Sequence, residues 1–475
     1  MSKKSFLMFL TAYFGLRVFS YFFSPSTPLY HADPINWIVS FFILALSAYF
    51  LYLKSPYGWL IIAGELLLGG AGNFLEIKGV SLRTCLLVFS MLIYSFQVIE
   101  DRKYKIIYKE NKTFIYLLSF IFFIVGISAL HGYQLGNNPK LIFADTIPYL
   151  FFLYYFPLQE LLKLDKFRKA IFNMLMVAVV SNFVFTYFTL AGFSSGIFVL
   201  QDSYYHWFRD VANGKITDYG TGFFRIILNE QLVIVPLFLS MLYKQINNEN
   251  TKKFVFKIAG GTLLAVLTIN LTRIYFLALA VGILFLFSTK NWKRWFAYSA
   301  AALAFFIIAF TLTHLAATKG KSLGWEYLGL RLQSIAMPQI EDSSLSRLLL
   351  LPKIIEKIKA HPLLGNGLGS TVTVYSPIFK VNVITPHFDW GYLEIIAEMG
   401  LVGILAWGLL IGNLMVKIKQ NRGLFASVVA LLVINITSPA LFHVLGIIMI
   451  TYLFANNKVT ALPNNHATSP MSGGK

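Results

Sequence analysis

Residues 343–403 read SSLSRLLLLPKIIEKIKAHPLLGNGLGSTVTVYSPIFKVNVITPHFDWGYLEIIAEMGLVG. The stretch ends an interval, 316–390, that is polar beside what flanks it, and a long segment lodged between apolar runs is usually functional. At 391 an apolar run begins that lasts to 415, and another, 295–315, closes just before the interval. A run of about 20 apolar residues crosses a hydrocarbon core. Moving outward, such runs recur at 272–288, 254–271, 225–243, 169–192, 143–160, 113–131, 82–99, 35–53 and 5–23, and on the other side at 420–437 and 438–456. A shorter Gly-rich run, 58–75, spans or re-enters. The expected fold is an all-α polytopic integral membrane protein with about 12 to 14 transmembrane helices, the outer loop containing short helices.

Composition excludes a soluble globule. Hydrophobic residues make up 57% of the chain and charged ones 13%, where soluble proteins carry about 25% charged residues. The formal net charge of +19 does not point to nucleic acid, because the cations cluster in short connectors. Arg102, Lys103, Lys105, Lys109 and Lys112 form one such group, Lys163, Lys166, Arg168 and Lys169 another, and Lys417, Lys419 and Arg422 a third. Alternate connectors are poor in Lys and Arg, the pattern that places positive loops in the cytoplasm. Both termini are then cytoplasmic and 316–390 is extracytoplasmic. The chain reads as one transmembrane domain, 1–456, followed by a polar cytoplasmic tail, 457–475. Lys3 and Lys4 precede an apolar run without a small-x-small cleavage site, so the first helix is expected to be retained. The lone Cys85 excludes an internal disulfide or a cysteine-based metal site.

Positive charge on the outer side is not explained by topology. Arg225 is read as opening an apolar helix in GTGFFRIILNEQLVIVPLFL, and Arg273 lies in the tight turn of INLTRIYFLALAVGIL. Taken singly, each arginine can be an interfacial anchor that snorkels. Together with Arg347 and His387 they would converge on one side, and planar guanidiniums grip phosphate oxygens bidentately. Within the outer loop, Ser343 and Ser344 cap a helix whose Leu348, Leu351, Ile354, Ile355 and Ile358 recur at helical spacing and suit a bilayer surface. The glycines Gly365, Gly367 and Gly369 lack a preceding βαβ strand and read as a turn rather than a nucleotide loop. His361, before Pro362, reads as structural.

His387 precedes the 391–415 span, with Asp389 two residues on and Glu394 one turn into the helix. A neutral imidazole there can take a proton from a sugar hydroxyl while a carboxylate orients the ring. Asp389 is a rival base. No second histidine stands at metal-ligand spacing, so no metal and no cofactor is expected.

RLLLLPKIIEKIKAHPLLGNGLGS, followed by HFDWGYLEIIAEMGLVG, resembles the signature of the bacterial O-antigen ligase and O-antigen polymerase superfamily. There, an Arg-bearing helix leads to an HPLxGxGxG turn, and a His precedes a helix with an ExGxxG pattern. The resemblance is strongest over 343–403 and extends weakly to Arg225 and Arg273. It implies a GT-C-like fold and transfer of a glycan from undecaprenyl diphosphate on the outer face of the bacterial cytoplasmic (inner) membrane. By the same resemblance His387 is the catalytic histidine, and Arg273 and Arg225 bind the diphosphate; Arg347, Asp389 and Glu394, from the reading of the residues themselves, are supporting. Phe388 stands where the family often has Asn, and Asp389 can take over that polar role. The implied step is inverting and metal-independent: the acceptor hydroxyl attacks the anomeric carbon and undecaprenyl diphosphate leaves. A ligase passes the glycan to lipid A core, a polymerase to another lipid-linked glycan. A lipid-linked sugar transporter is the reading from another class, its deep charges being Arg17, Glu65 and Asp145, of which Arg17 is expected to snorkel outward or to pair with Glu65.

Overall fold

The structure, a computed structural model, describes residues 3–24, 33–70, 72–247, 253–376, 380–386 and 388–461. Its helices run in chain order as α1 (Lys3–Phe23), α2 (Asp33–Tyr52), α3 (Pro56–Leu68), α4 (Leu82–Glu100), α5 (Tyr104–Gln134), α6 (Pro139–Leu150), α7 (Tyr155–Leu161), α8 (Asp165–Ser195) and α9 (Ser203–Asp210). They continue as α10 (Ile234–Ile246), α11 (Lys253–Asn270), α12 (Arg273–Phe285), α13 (Trp292–Ala317), α14 (Trp325–Ala336), α15 (Asp342–Ala360), α16 (Gly391–Ile418), α17 (Arg422–Ile434) and α18 (Val444–Ala461). Three antiparallel hairpins complete the described chain: β1 (Glu76–Ile77) with β2 (Val80–Ser81), β3 (Lys215–Asp218) with β4 (Phe224–Ile227), and β5 (Val372–Ser376) with β6 (Val381–Thr385).

Among the described residues eight helices are long and apolar enough to cross a membrane, and five shorter apolar helices accompany them. Their outward faces carry Ile38, Phe41, Phe42 and Phe96, all exposed, as expected where lipid rather than water is the solvent. Inside, α5 packs on α16, while α17 lies against both α10 and α12. Buried side chains join these layers: Phe114, Tyr155 and Phe454 meet in one core, and Val235, Leu239, Leu267 and Ala430 in another.

Three expectations change. Arg225 does not open a helix: it sits on β4 opposite Thr217, and the apolar run becomes helical only after a 3-10 turn, Asn229–Val233. Its FFRII sequence is β-branched and aromatic, and a partner strand was available. Arg17 does not pair with Glu65. It pairs with Glu230, which also accepts from Tyr13 and Asn182, while Glu65 pairs with Arg83 at 2.8 Å. Charges at this depth need partners, and the fold supplied them from distant segments. The tail expected from 457 begins inside α18, which extends to Ala461; 462–475 lie outside the described residues.

The HPLLGNGLG turn is built into a break in α16. Gly400 adopts φ 66°, ψ −167°, a conformation open to glycine, and interrupts the helical ladder. In a continuous helix Leu401 N and Val402 N would bond the carbonyls of Ala397 and Glu398. Here they donate instead to Pro362 O at 2.9 Å and Leu363 O at 3.3 Å. The released carbonyls accept from the turn in return, Ala397 O from Asn366 N at 2.7 Å and Glu398 O from Gly367 N at 3.0 Å. The far side of the turn is held by Leu368 N donating to Ser128 O at 3.0 Å and Gly369 N donating to Asp145 Oδ2 at 2.9 Å. A Cβ on Gly367 would come within 2.1 Å of Gly132 N. The turn reading of these glycines holds, and close backbone approach is the reason.

Candidate active site

The tight turn between α11 and α12 organises the site. Leu271 takes φ 48°, and Asn270 Oδ1 accepts from Thr272 N at 3.0 Å, closing the turn. Arg225 reaches this turn from β4. Its Nε donates to Asn270 O at 2.7 Å and its Nη2 to Thr272 Oγ1 at 3.0 Å, and the residue is only 6% exposed. Arg273, the first residue of α12, directly follows Thr272, one of Arg225's two anchors. It points the other way, into the outer loop: Nη1 donates to Ser334 Oγ at 2.6 Å and Nη2 to Ser344 Oγ at 2.7 Å.

Two carboxylates enter this group of cations. Glu341, just before α15, lies 3.5 Å from Arg273 Nη2 and bonds Arg331 Nη1 and Ser334 Oγ. Asp389 lies 3.9 Å from Arg347 Nε, too long for a hydrogen bond, and that buried Nε makes none. Arg347 is held near the entrance of α16 by the small core of Leu350, Ile354, Val372, Phe388 and Ala397, which docks α15 there. Its carbonyl accepts from Trp390 Nε1 at 3.3 Å.

The cations feel one another. Burial lowers Arg225 to about 10, with the like charges of Arg347 and Arg273 acting in the same direction. Burial likewise lowers Arg331 to about 9, followed by the charge of Arg225 and then those of Arg273 and Arg347. Lys215, on β3, keeps an exposed side chain yet sits in a crowded cleft. Partial desolvation, then the charge of Arg225, lowers its ammonium, while Asp389 acts the other way. Both arginines remain cationic at neutral pH. Five cations thus face two carboxylates, and the cluster is positive in balance.

The structure therefore gathers Arg225, Arg273, Arg347 and Asp389 at one end of the bundle. Glu394 is in the first turn of α16 but buried, its Oε2 accepting from Phe388 N at 3.4 Å. His387 lies outside the described residues. His361 stacks edge-on against His131 at 5.6 Å, away from the arginines' hydrogen bonds. Arg331 and Lys215 were not singled out by sequence. The available signal was topological: a Lys or Arg on the cation-poor side of a chain with this charge bias needs a reason.

No curated protein matches the chain. Residues 258–408 match the O-antigen ligase family (Wzy_C), a segment that runs from α11 into α16 and contains Arg273, Arg331, Glu341, Arg347 and Asp389 but neither Lys215 nor Arg225. This segment, residues 258–408, is the part of the chain that is similar to the O-antigen ligase family.

Proposed function

We propose that the protein is a glycosyltransferase that moves a glycan from undecaprenyl diphosphate to an acceptor at the outer face of the bacterial cytoplasmic membrane, acting as an O-antigen ligase with lipid A core as acceptor. The observation that carries this reading is the convergence of Lys215, Arg225, Arg273, Arg331 and Arg347, drawn from a hairpin, a helix start and two outer-loop helices. Such a cluster holds together poorly unless an anion joins it. Arg225 has two of its five N–H donors engaged among the described residues, and guanidinium forks match phosphate oxygens. The buried Nε atoms of Arg331 and Arg347 make no hydrogen bond, and orphaned donors of this kind call for a partner.

In the proposed step His387 accepts the proton of the acceptor hydroxyl, whose oxygen bonds the anomeric carbon as the bond to the diphosphate oxygen breaks. The electron pair leaves with undecaprenyl diphosphate, and the arginines stabilise the charge that grows there. A diphosphate is already a good leaving group, so the step needs no strong acid. Asp389, close to Arg347, orients the loop that carries His387.

The test is reconstitution of the purified chain with a polyprenyl-diphosphate-linked glycan and, separately, lipid A core or a second lipid-linked glycan. Transfer to core supports the ligase. Transfer only to the second lipid-linked glycan assigns the chain as a polymerase of the same superfamily, and movement of intact donor across the bilayer without transfer would make it a transporter.

A further inference from the structure

We infer that Arg273, Arg331, Ser334 and Ser344 form a phosphate subsite, and that Glu341 fills it as an intramolecular stand-in which the diphosphate of an arriving lipid-linked donor displaces. The inference rests on the diphosphate reading above and adds to it a subsite and its gate.

Glu341 is bound as a phosphate group would be. Its Oε1 takes Arg331 Nη1, and its Oε2 accepts from Ser334 Oγ at 2.9 Å and faces Arg273 Nη2 at 3.5 Å. Two guanidiniums and a hydroxyl make the contact set by which proteins recognise a phosphate oxyanion. The second hydroxyl, Ser344 Oγ, is already on Arg273 at 2.7 Å. Arg331 is 2% exposed and its charge is disfavoured by burial and by Arg225, so an empty subsite would leave buried cations facing one another. Glu341 keeps them gathered while no donor is present.

The backbone allows the side chain to leave. Glu341 occupies the N-cap position of α15 with φ −136° and ψ 127°, yet its carboxylate makes no capping bond. The first turn is held by its main chain instead, Glu341 O accepting from Ser344 N and Leu345 N, both at 2.9 Å. Release of the carboxylate therefore does not unravel α15. The 3-10 turn Pro338–Ile340, between α14 and α15, is the short linker on which it would swing.

The test uses the full chain in lipid nanodiscs, with glycan-free undecaprenyl diphosphate as one probe and inorganic pyrophosphate as the other. If the self-occupied state holds about 90% of the protein, apparent affinity is reduced about tenfold, so E341Q should bind the lipid probe about tenfold more tightly than wild type. Adding Arg331→Lys to E341Q should abolish that gain. A gain seen with pyrophosphate as well assigns the subsite to the phosphates alone; one confined to the lipid probe assigns it to phosphates positioned by the tail. On the unaltered chain, saturating probe should speed amide exchange over the linker 339–341, because it is released, while Ser344 and Leu345 stay protected; this measurement decides the matter should E341Q fail to fold. Unchanged or weaker binding by folded E341Q, or unchanged or slower exchange at 339–341, would show Glu341 to be a structural clamp and overturn the inference. If the probes bind normally and only the E341Q gain is missing, the diphosphate reading stands and self-occupancy falls. If neither protein binds either probe, both fall together.

Discussion

Replacing Arg225 by lysine separates an anion ligand from a scaffold pin. Arg225 is nearly buried and spends Nε and one Nη2 proton on the Asn270–Thr272 turn, at 2.7 and 3.0 Å. Lysine keeps the charge but brings a single ammonium on a different stem, so it cannot hold the turn and present a fork to phosphate together. At least one charge-assisted hydrogen bond is lost, about 1.5–3 kcal/mol, which at about 1.4 kcal/mol per factor of ten corresponds to roughly 10- to 100-fold in donor binding or turnover. Thr272→Val is the control, since it removes the Nη2 acceptor and leaves every cation in place. Binding of undecaprenyl diphosphate, turnover and thermal stability are measured for both variants. The expected result is a strong loss of donor binding and turnover in Arg225→Lys, with Thr272→Val retaining most of both. Two results would refute the reasoning: Arg225→Lys within about twofold of wild type, or the two variants losing stability and activity in parallel, which would make Arg225 only a brace for the turn.

His387→Ala should lower turnover by at least about 10²-fold, as removal of a general base does, with donor binding intact; Asp389→Ala in the same assay should cost less, and the reverse order would make the carboxylate the base. The reference pKa of a histidine is about 6.5, so a histidine base makes the chemical step slow as pH falls below about 6, which a pH–rate profile reads directly. Because the Lys215 ammonium is lowered, its charge is lost at a lower pH than that of an ordinary lysine, so donor affinity should decline early on the alkaline side. Lys215→Arg should flatten that limb of a binding-versus-pH curve. Gly367→Ala places a Cβ 2.1 Å from Gly132 N at a φ of +76°, and a melting experiment should show a loss of several kcal/mol or failure to insert, whereas Gly408→Ala, with open space around it, should behave as wild type.

Hydropathy made the helical bundle legible because a bilayer demands about 20 apolar residues per span, whatever their order. It failed where apolar residues do something else. The run beginning at Arg225 carries both a strand and a helix, and periodicity cannot separate FFRII in a hairpin from the start of a span. The glycine turn was readable because three glycines so close together imply positive φ. The pairing of Glu341 with Arg331 was not, since it depends on where a short linker folds back. Nor was Arg17 with Glu230: 213 residues separate them, and nearer Glu65 looked equally suitable until Arg83 claimed it. Ionic partners in a membrane are set by which helices become neighbours, and that is a property of the whole packing.

The exchange of main-chain hydrogen bonds at Gly400 has a consequence for how such chains can vary. Four peptide groups of a span are satisfied by four peptide groups of a loop, with no side chain needed as intermediary, so the spacing between the HPLLG turn and the membrane helix is locked by backbone geometry. Inserting or deleting one residue within 362–367 or 397–402 would strand polar groups where no water is available. Between these anchors lies the β5–β6 hairpin, whose β6 strand is exposed along most of its length. Substitutions at the exposed residues 381–384 can therefore accumulate without moving the arginine cluster. The break in α16 lets one half of this end of the bundle vary while the other stays in register.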